Sequence, residues 1–182
     1  MSGGHGHVDH GGNKGVALLI AILALVLAFS ETLGKSAQTA ALAANVEASN
    51  LWAFFQAKTI RQTVLRTAAE QTALQGSSEN SKKQIDKWRE TAQRYQSEPE
   101  TGEGREQLAA RAKEAEKKRD RSMAAYHHFE LASATVQIAI VLASASIITA
   151  IPALFWIAGG LGVLGIAFSI IGSFFPTAVH LF

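Results

Sequence analysis

Four groups of residues have the types and spacing to do chemistry. Gly160, Gly162 and Gly165 spell G-x-G-x-x-G, the turn that cradles a dinucleotide pyrophosphate when it follows a strand, opens a helix and has an acid downstream. Here the glycines lie inside an apolar run with no acid after them. They are expected instead to let membrane helices approach closely: Ala158 with Gly162, then Gly165 and Ser169 at four-residue spacing. Ala17, Ala21, Ala24 and Ala28 make a similar smooth face near the N-terminus. His5, His7, Asp9 and His10 could hold Zn, Ni or Cu through imidazole and carboxylate. By composition, a solvated Gly/His tail is the simpler expectation for them.

The third group, Glu31 with His127, His128 and Glu130, flanks the polar middle of the chain. At one membrane depth these groups could relay protons or bind a cation. The plainer expectation is interface anchoring, with Glu31 paired four residues ahead to Lys35 and His127 three before Glu130. The fourth group, Lys117, Lys118, Arg119 and Arg121, sits just before an apolar run, where each cation gains about 1 kcal/mol from an anionic leaflet. Glu114, Glu116 and Asp120 balance the same stretch, as on an ordinary solvated face. No Ser/His/Asp order, HExxH or Walker loop occurs, and there is no cysteine. The expectation is a protein without enzymatic activity or cofactor.

The elements that must position these residues are written in the hydropathy. The average is bland, with 48% hydrophobic and 18% charged residues, but Val16 to Leu33 hold one charge, Glu31, and Leu131 to Phe182 hold none. Such runs match a bilayer core of about 30 Å at about 1.5 Å per helical residue. The chain is therefore expected to be an all-α membrane protein with three transmembrane helices. Its parts are a His/Gly-rich tail at 1–14, spans at 15–33, 131–151 and 153–175, a polar helical region at 34–130 and a tail at 176–182. The first run exceeds the ~7 to 15 residues of a signal-peptide core, so it is expected to be an anchor. Pro152 splits the last two runs into a hairpin, and Phe155, Trp156, Phe174 and Phe175 resemble an aromatic belt.

Between the spans, Gly76 to Ser81 and Glu98 to Gly104 are breaks. The first polar helix is expected to pack along Val46, Ala53, Ile60, Thr67 and Leu74, with Asn50, Ala57, Val64 and Gln71 four places after the first four of them, a coiled-coil seam. The second is expected to use Ile85, Trp88, Ala92 and Tyr95. The third is expected to use Leu108, Ala112, Ala115, Ser122, Tyr126 and Phe129. Trp52, Phe54, Phe55 and Ile60 exceed what one narrow seam can hold, because Trp52 and Phe54 stand about 200° apart on a helix. With Val64, Trp88 and Tyr95 they are expected to form a hairpin or subunit interface. The cations preceding the second span put the polar region in the cytoplasm by the positive-inside rule. That region is longer than the ~60 residues over which the rule holds, so a periplasmic placement stays open. A net charge of +2, without clustered readout residues, argues against nucleic acid as partner.

The His-rich start, NKGVALLIAILALVLAF from Asn13, and above all EASNLWAFFQAKTIRQ from Glu47 to Gln62 resemble a family of bacterial membrane proteins known as domain of unknown function 4337. The likeness covers nearly the whole chain; Phe55 stands where Tyr is expected in such proteins. It implies a bacterial inner-membrane protein and brings no activity, cofactor or catalytic residue. The functional expectation is an oligomeric scaffold in contact with lipid and with copies of itself or another membrane complex. The alternatives are a transporter or channel component and a signalling or metal-sensing module reading the His tail.

Overall fold

The computed structural model of the chain describes residues 10–76 and 78–179, with side chains from Lys14 onward. Within them are four helices and no strand: α1 (His10–Leu74), α2 (Glu79–Gln96), α3 (Arg105–Thr149) and α4 (Pro152–Phe174). Three of them, α1, α3 and α4, contain stretches long and apolar enough to cross a membrane. The proposed metal ligands His5, His7 and Asp9, and the side chain of His10, lie outside the described residues.

Local chemistry explains where the helices begin and stop. α1 has no Pro, and its Thr32, Thr39, Thr59 and Thr63 hydroxyls donate to the carbonyl four residues back at 2.8 to 3.0 Å. The hydroxyls are thus satisfied without breaking the helix. Gly76, at φ 95°, takes the left-handed turn after α1. Ser78 then caps α2, accepting from the Ser81 N–H at 3.2 Å. Pro152 opens α4 at a position where the missing N–H costs nothing.

The described residues fall into two compact units. One takes α1 up to Ala40, α3 from Arg121 and all of α4. In it α3 runs antiparallel to α1, since Gly34 lies beside Phe129 while Val16 lies near Ser146. α4 runs parallel to α1: Gly162 faces Leu23 and, seven residues on in both helices, Ser169 meets Ser30 at 2.9 Å. The buried positions of α4 are Ala158, Gly162, Gly165 and Gly172. Ala158 packs with Val136, Ala139 and Ala143 of α3, Gly165 faces Ala132 and Val136, Gly172 faces His128, and Gly162 faces Leu23 of α1. Gly165 and Gly172 leave the space taken by the Val136 and His128 side chains. With seams this small the backbones come close, which is how helices gain dispersion energy where lipid supplies no hydrophobic drive.

The other unit, Ala41–Asp120, has one core of Ala48, Leu51, Leu108, Ala112 and Ala115, with Trp52 and Phe55 packed on it. Here α1 packs on α2 and on α3, which return along it one after the other. Gln62 reaches the Ala92 carbonyl on α2, while Trp52 reaches Glu116 on α3. Trp52, Ala57, Thr59 and Ala68 of α1 are half-buried beside a central row of Ala41, Ala44, Ala48, Leu51, Phe55, Lys58, Gln62, Leu65, Ala69 and Thr72. The spacing of that row alternates strictly between three and four.

Within the chain, α1 packs on a different stripe from the expected one. Val46, Ala53, Ile60, Thr67 and Leu74 are all exposed, as are Asn50, Val64 and Gln71, with Ala57 half-buried. The expected stripe is the one in use shifted by two residues, about 200° around the helix. The stripe in use runs from Ala41, Ala44 and Ala48 through Leu51 and Phe55 to Lys58 and Gln62, and these two polar residues are held there by Glu98, Glu103 and the Ala92 carbonyl. On the return helices the expected residues do face inward: Ile85, Ala92, Leu108, Ala112, Ala115 and Phe129 are buried, and Trp88, Tyr95, Ser122 and Tyr126 half-buried.

Candidate functional site

Two clusters of polar side chains interrupt these seams. In the Ala41–Asp120 unit the cluster lies at the break between α2 and α3. Lys58 is 6% exposed. Its ammonium stands 3.7 Å from Glu98 and 3.8 Å from Glu103, with the Phe54 and Tyr95 rings at 5.4 and 5.1 Å. Gln62 donates to the Ala92 carbonyl at 2.9 Å and to Gln96 at 3.3 Å, and accepts from Arg105. The Arg105 guanidinium in turn covers the Phe55 ring at 4.9 Å.

The hydrogen bond from Arg94, with smaller help from Thr101 and the charges of Arg94 and Lys58, holds the Glu98 carboxyl below its ordinary range. Bonds from Gln96 and the Ser97 side chain do the same for Glu106. A buried lysine with this many partners holds the register of α1 against its return helices, since a slip would strand the charge in an apolar seam. Gly102, at φ 69°, makes the turn that brings Glu98 and Glu103 round to it.

The second cluster lines a cleft of about 590 Å³ between α1 and α3 in the unit that includes α4. α1 contributes Glu31 and Lys35, and α3 contributes Tyr126, Glu130, Ser133 and Gln137. The Gln137 amide donates to Glu31 at 3.3 Å. Glu130 stands 3.7 Å from the His127 ring nitrogen. The expected Glu31–Lys35 pair is replaced by the contact to Gln137, and Lys35 has no ion pair among the described residues. Carboxylates, an ammonium, an amide and a phenol round one cleft make a binding chemistry of charge and hydrogen bonds.

The quartet expected near the interface is thus divided. Glu31 and Glu130 line the cleft together, whereas His128 is buried toward α4, its Nε2 donating to the Pro176 carbonyl at 3.3 Å. That contact assigns the proton to Nε2. Gly172 makes the room for His128; a four-residue spacing from Gly165 through Ser169 passes over it, whereas seven residues on from Gly165 reaches it.

Of the expected packing glycines, Gly162 and Gly165 are buried with Ala158, while Gly160 is exposed. Ala17, Ala21, Ala24 and Ala28 are exposed, outside the packing of their unit, where Leu23 and Ser30 take their place. Trp52 and Phe55 meet α3 rather than the Trp88 helix. Trp52 donates to Glu116 at 2.9 Å and stands edge-on to Phe55. Phe54 and Tyr95 flank Lys58, and Ile60 and Val64 face outward. Of the basic residues, Arg119 is tied to Asp120 at 2.9 Å, Lys117 reaches Glu114 at 4.0 Å, and Lys118 and Arg121 are exposed. Among the described residues no three His, Cys, Asp or Glu side chains gather as metal ligands.

No curated protein and no solved structure matches the chain. The family model described as a domain of unknown function (DUF4337) matches residues 12–175, from the head of α1 to the residue after α4. The all-helical chain with three apolar helices of spanning length belongs to the DUF4337 family.

Proposed function

We propose that this protein is a non-enzymatic, homo-oligomeric scaffold of the bacterial inner membrane, joined through the outer face of α1 in its Ala41–Asp120 unit. One observation carries the reading. Val46, Ile60 and Val64 are 51%, 65% and 60% exposed, on a stripe with the regular spacing of a helix seam and on the face opposite the one already used. Leu42 and Leu74 extend it. Apolar surface of this periodicity in water is the mark of a protein partner.

A second copy of the chain is the natural occupant. Copies anchored in one bilayer stand in the same sense, so equivalent faces of α1 meet in parallel, as a two-fold interface requires. Asn50 then faces its own counterpart inside the stripe, a polar pair that sets register at some cost in stability. Ala53 and Ala57 on either side permit close approach. The polar region lies in the cytoplasm, where the cations of α3 before its apolar run satisfy the positive-inside rule.

Because the chain is free of cysteine, single introduced cysteines report cleanly. Asn50→Cys is expected to cross-link between copies in native membranes, and Ala44→Cys, buried in the intramolecular seam, is not. Native mass spectrometry of detergent-extracted protein should give an oligomer that Ile60→Asp converts to monomer. A wild-type monomer under gentle extraction would remove the proposal. Labelling of Gln75→Cys in intact cells by an impermeant reagent would overturn the cytoplasmic placement.

A further inference from the structure

The cleft between α1 and α3 lies where apolar sequence gives way to polar sequence on both helices. Glu31 is two residues from the end of the apolar run that closes at Leu33. Gln137 lies six residues beyond Leu131, about 9 Å into the apolar run of α3. Phe29 and Ile138, next to these polar residues along their helices, are 62% and 54% exposed, as surfaces covered by lipid chains are. Exposed charge at this depth is costly unless it is paired.

Internal partners meet only part of that need. A carboxylate offers about four lone-pair sites and an ammonium three donors. Glu31 receives one amide bond, Glu130 has His127 beside it, and Lys35 has no ion pair among the described residues. The unused capacity faces a cleft of about 590 Å³, within the range of small-ligand sites.

The charge pattern then selects the ligand. A bare cation would satisfy the two carboxylates and oppose Lys35; a bare anion would meet two carboxylates. A group that holds a cation and an anion on one short spacer satisfies Glu130 and Lys35 together, while Glu31 keeps the Gln137 amide. Side chains on a helix lean toward its N-terminus, and α1 and α3 are antiparallel, so the Lys35 ammonium leans toward the apolar side while the Glu130 carboxylate leans away from it. A phospholipid headgroup has that polarity, with its phosphate next to the hydrocarbon and its amine beyond it. Carboxylate acceptors suit a primary ammonium with three N–H donors. A quaternary one is instead recognised by an aromatic cage.

We propose that this cleft binds the headgroup of an aminophospholipid, its primary ammonium at Glu130 and its phosphate at Lys35, on the polar side of the Glu31–Gln137 contact. The proposal rests on the spanning character of the helices and is independent of the oligomer.

The test is lipid titration of the delipidated full-length protein in non-ionic detergent, read by native mass spectrometry. Phosphatidylethanolamine, phosphatidylcholine and phosphatidylglycerol of matched chains are compared. Phosphatidylethanolamine is expected to bind about tenfold more tightly than either of the others, as charge-assisted hydrogen bonds require. Glu130→Gln, at an exposed position, should remove most of that preference while the thermal midpoint is kept, and Lys35→Met, also exposed, should weaken all three lipids, whose phosphate is common. Glu31→Gln, which retains an acceptor for Gln137, is expected to keep the preference, and its loss there would overturn the placement of the ammonium at Glu130. Equal binding of the three lipids, an undiminished preference in Glu130→Gln, or unchanged affinities in Lys35→Met would overturn the site. Soluble phosphoethanolamine binding as tightly as the lipid would overturn the bilayer as its source.

Discussion

The two units of this protein solve the same packing problem with opposite materials. Where α1 packs on α3 and α4 among apolar runs, the seam on α4 is Ala158, Gly162, Gly165 and Gly172, and stability comes from the removal of side chains. Where α1 packs on α2 and the head of α3, the core is Ala48, Leu51, Leu108, Ala112 and Ala115, with a lysine and a glutamine set into the seam. Water makes even a thin apolar core favourable, so side chains have to be present for burial to count. In lipid the same side chains would be no better buried than exposed, and only close contact stabilises. The polar residues divide in the same way. Lys58 and Gln62 are enclosed and hold register, whereas Glu31 and Lys35 stand open on a cleft.

If that contrast is right, removing carbon should harm one unit and adding carbon the other. The largest effect is expected from Leu108→Ala, which empties a fully buried position of the Ala41–Asp120 unit and should cost about 3 kcal/mol. Thermal unfolding of the full chain in detergent, followed by circular dichroism, measures it. A loss under about 1 kcal/mol would show that this core collapses freely around a cavity. Next is Gly165→Ala, a single methyl placed against Val136 and 3.2 Å from the Ala132 carbonyl, for which overpacking predicts about 2 kcal/mol. The same melt reads it, and an unchanged midpoint would mean that the α3–α4 contact is not tight enough to be limiting.

The smallest effect is that of pH on the Lys58 cluster. Glu98 is held below its ordinary value near 4.5, chiefly by the Arg94 hydrogen bond. A carboxylate so lowered contributes stability that is present above its ordinary value and lost as pH falls through the lowered one. Hydrogen exchange around Gln96 to Gly104 should therefore quicken below about pH 4.5 before exchange in α4 changes. Simultaneous quickening in both units would remove the distinction.

Much of this fold could be read in the order of residues. The breaks at Gly76, at Pro99 to Gly104 and at Pro152 fall where the helices end, because turn chemistry and missing donors act locally. The seam of the return helices, from Ile85 through Leu108 to Phe129, was legible because those helices are polar enough for their few apolar residues to stand out. The seam of α1 was not. Its segment between Ala41 and Leu74 has two apolar stripes, and the more hydrophobic one, Val46 to Leu74, is exposed. Hydropathy ranks the Val46 stripe above one interrupted by Lys58 and Gln62, whose partners lie far along the chain at Glu98, Glu103 and Ala92.

The candidate site was half legible for the same kind of reason. Glu31 and Glu130 stand out as charges at the edges of apolar runs. That they share a cleft with Lys35 and Gln137, while His128 turns to α4, depends on the rotation of each helix about its axis.

By itself, then, the sequence determined helical character, the breaks at Gly76, at Glu98 to Gly104 and at Pro152, and which stretches are apolar enough to span a bilayer, since these follow from local backbone preference and from hydropathy summed along the chain. The start of α1 was not among these, for the helix begins at His10, inside the expected 1–14 tail. Only the tertiary structure decided which face of α1 is used, that Lys58 rather than an apolar residue sits at the break in the return helix, and that the acids near the interface face a common cleft. Those are questions of distance between residues far apart in the chain, and such distances are set by how closely helix backbones approach.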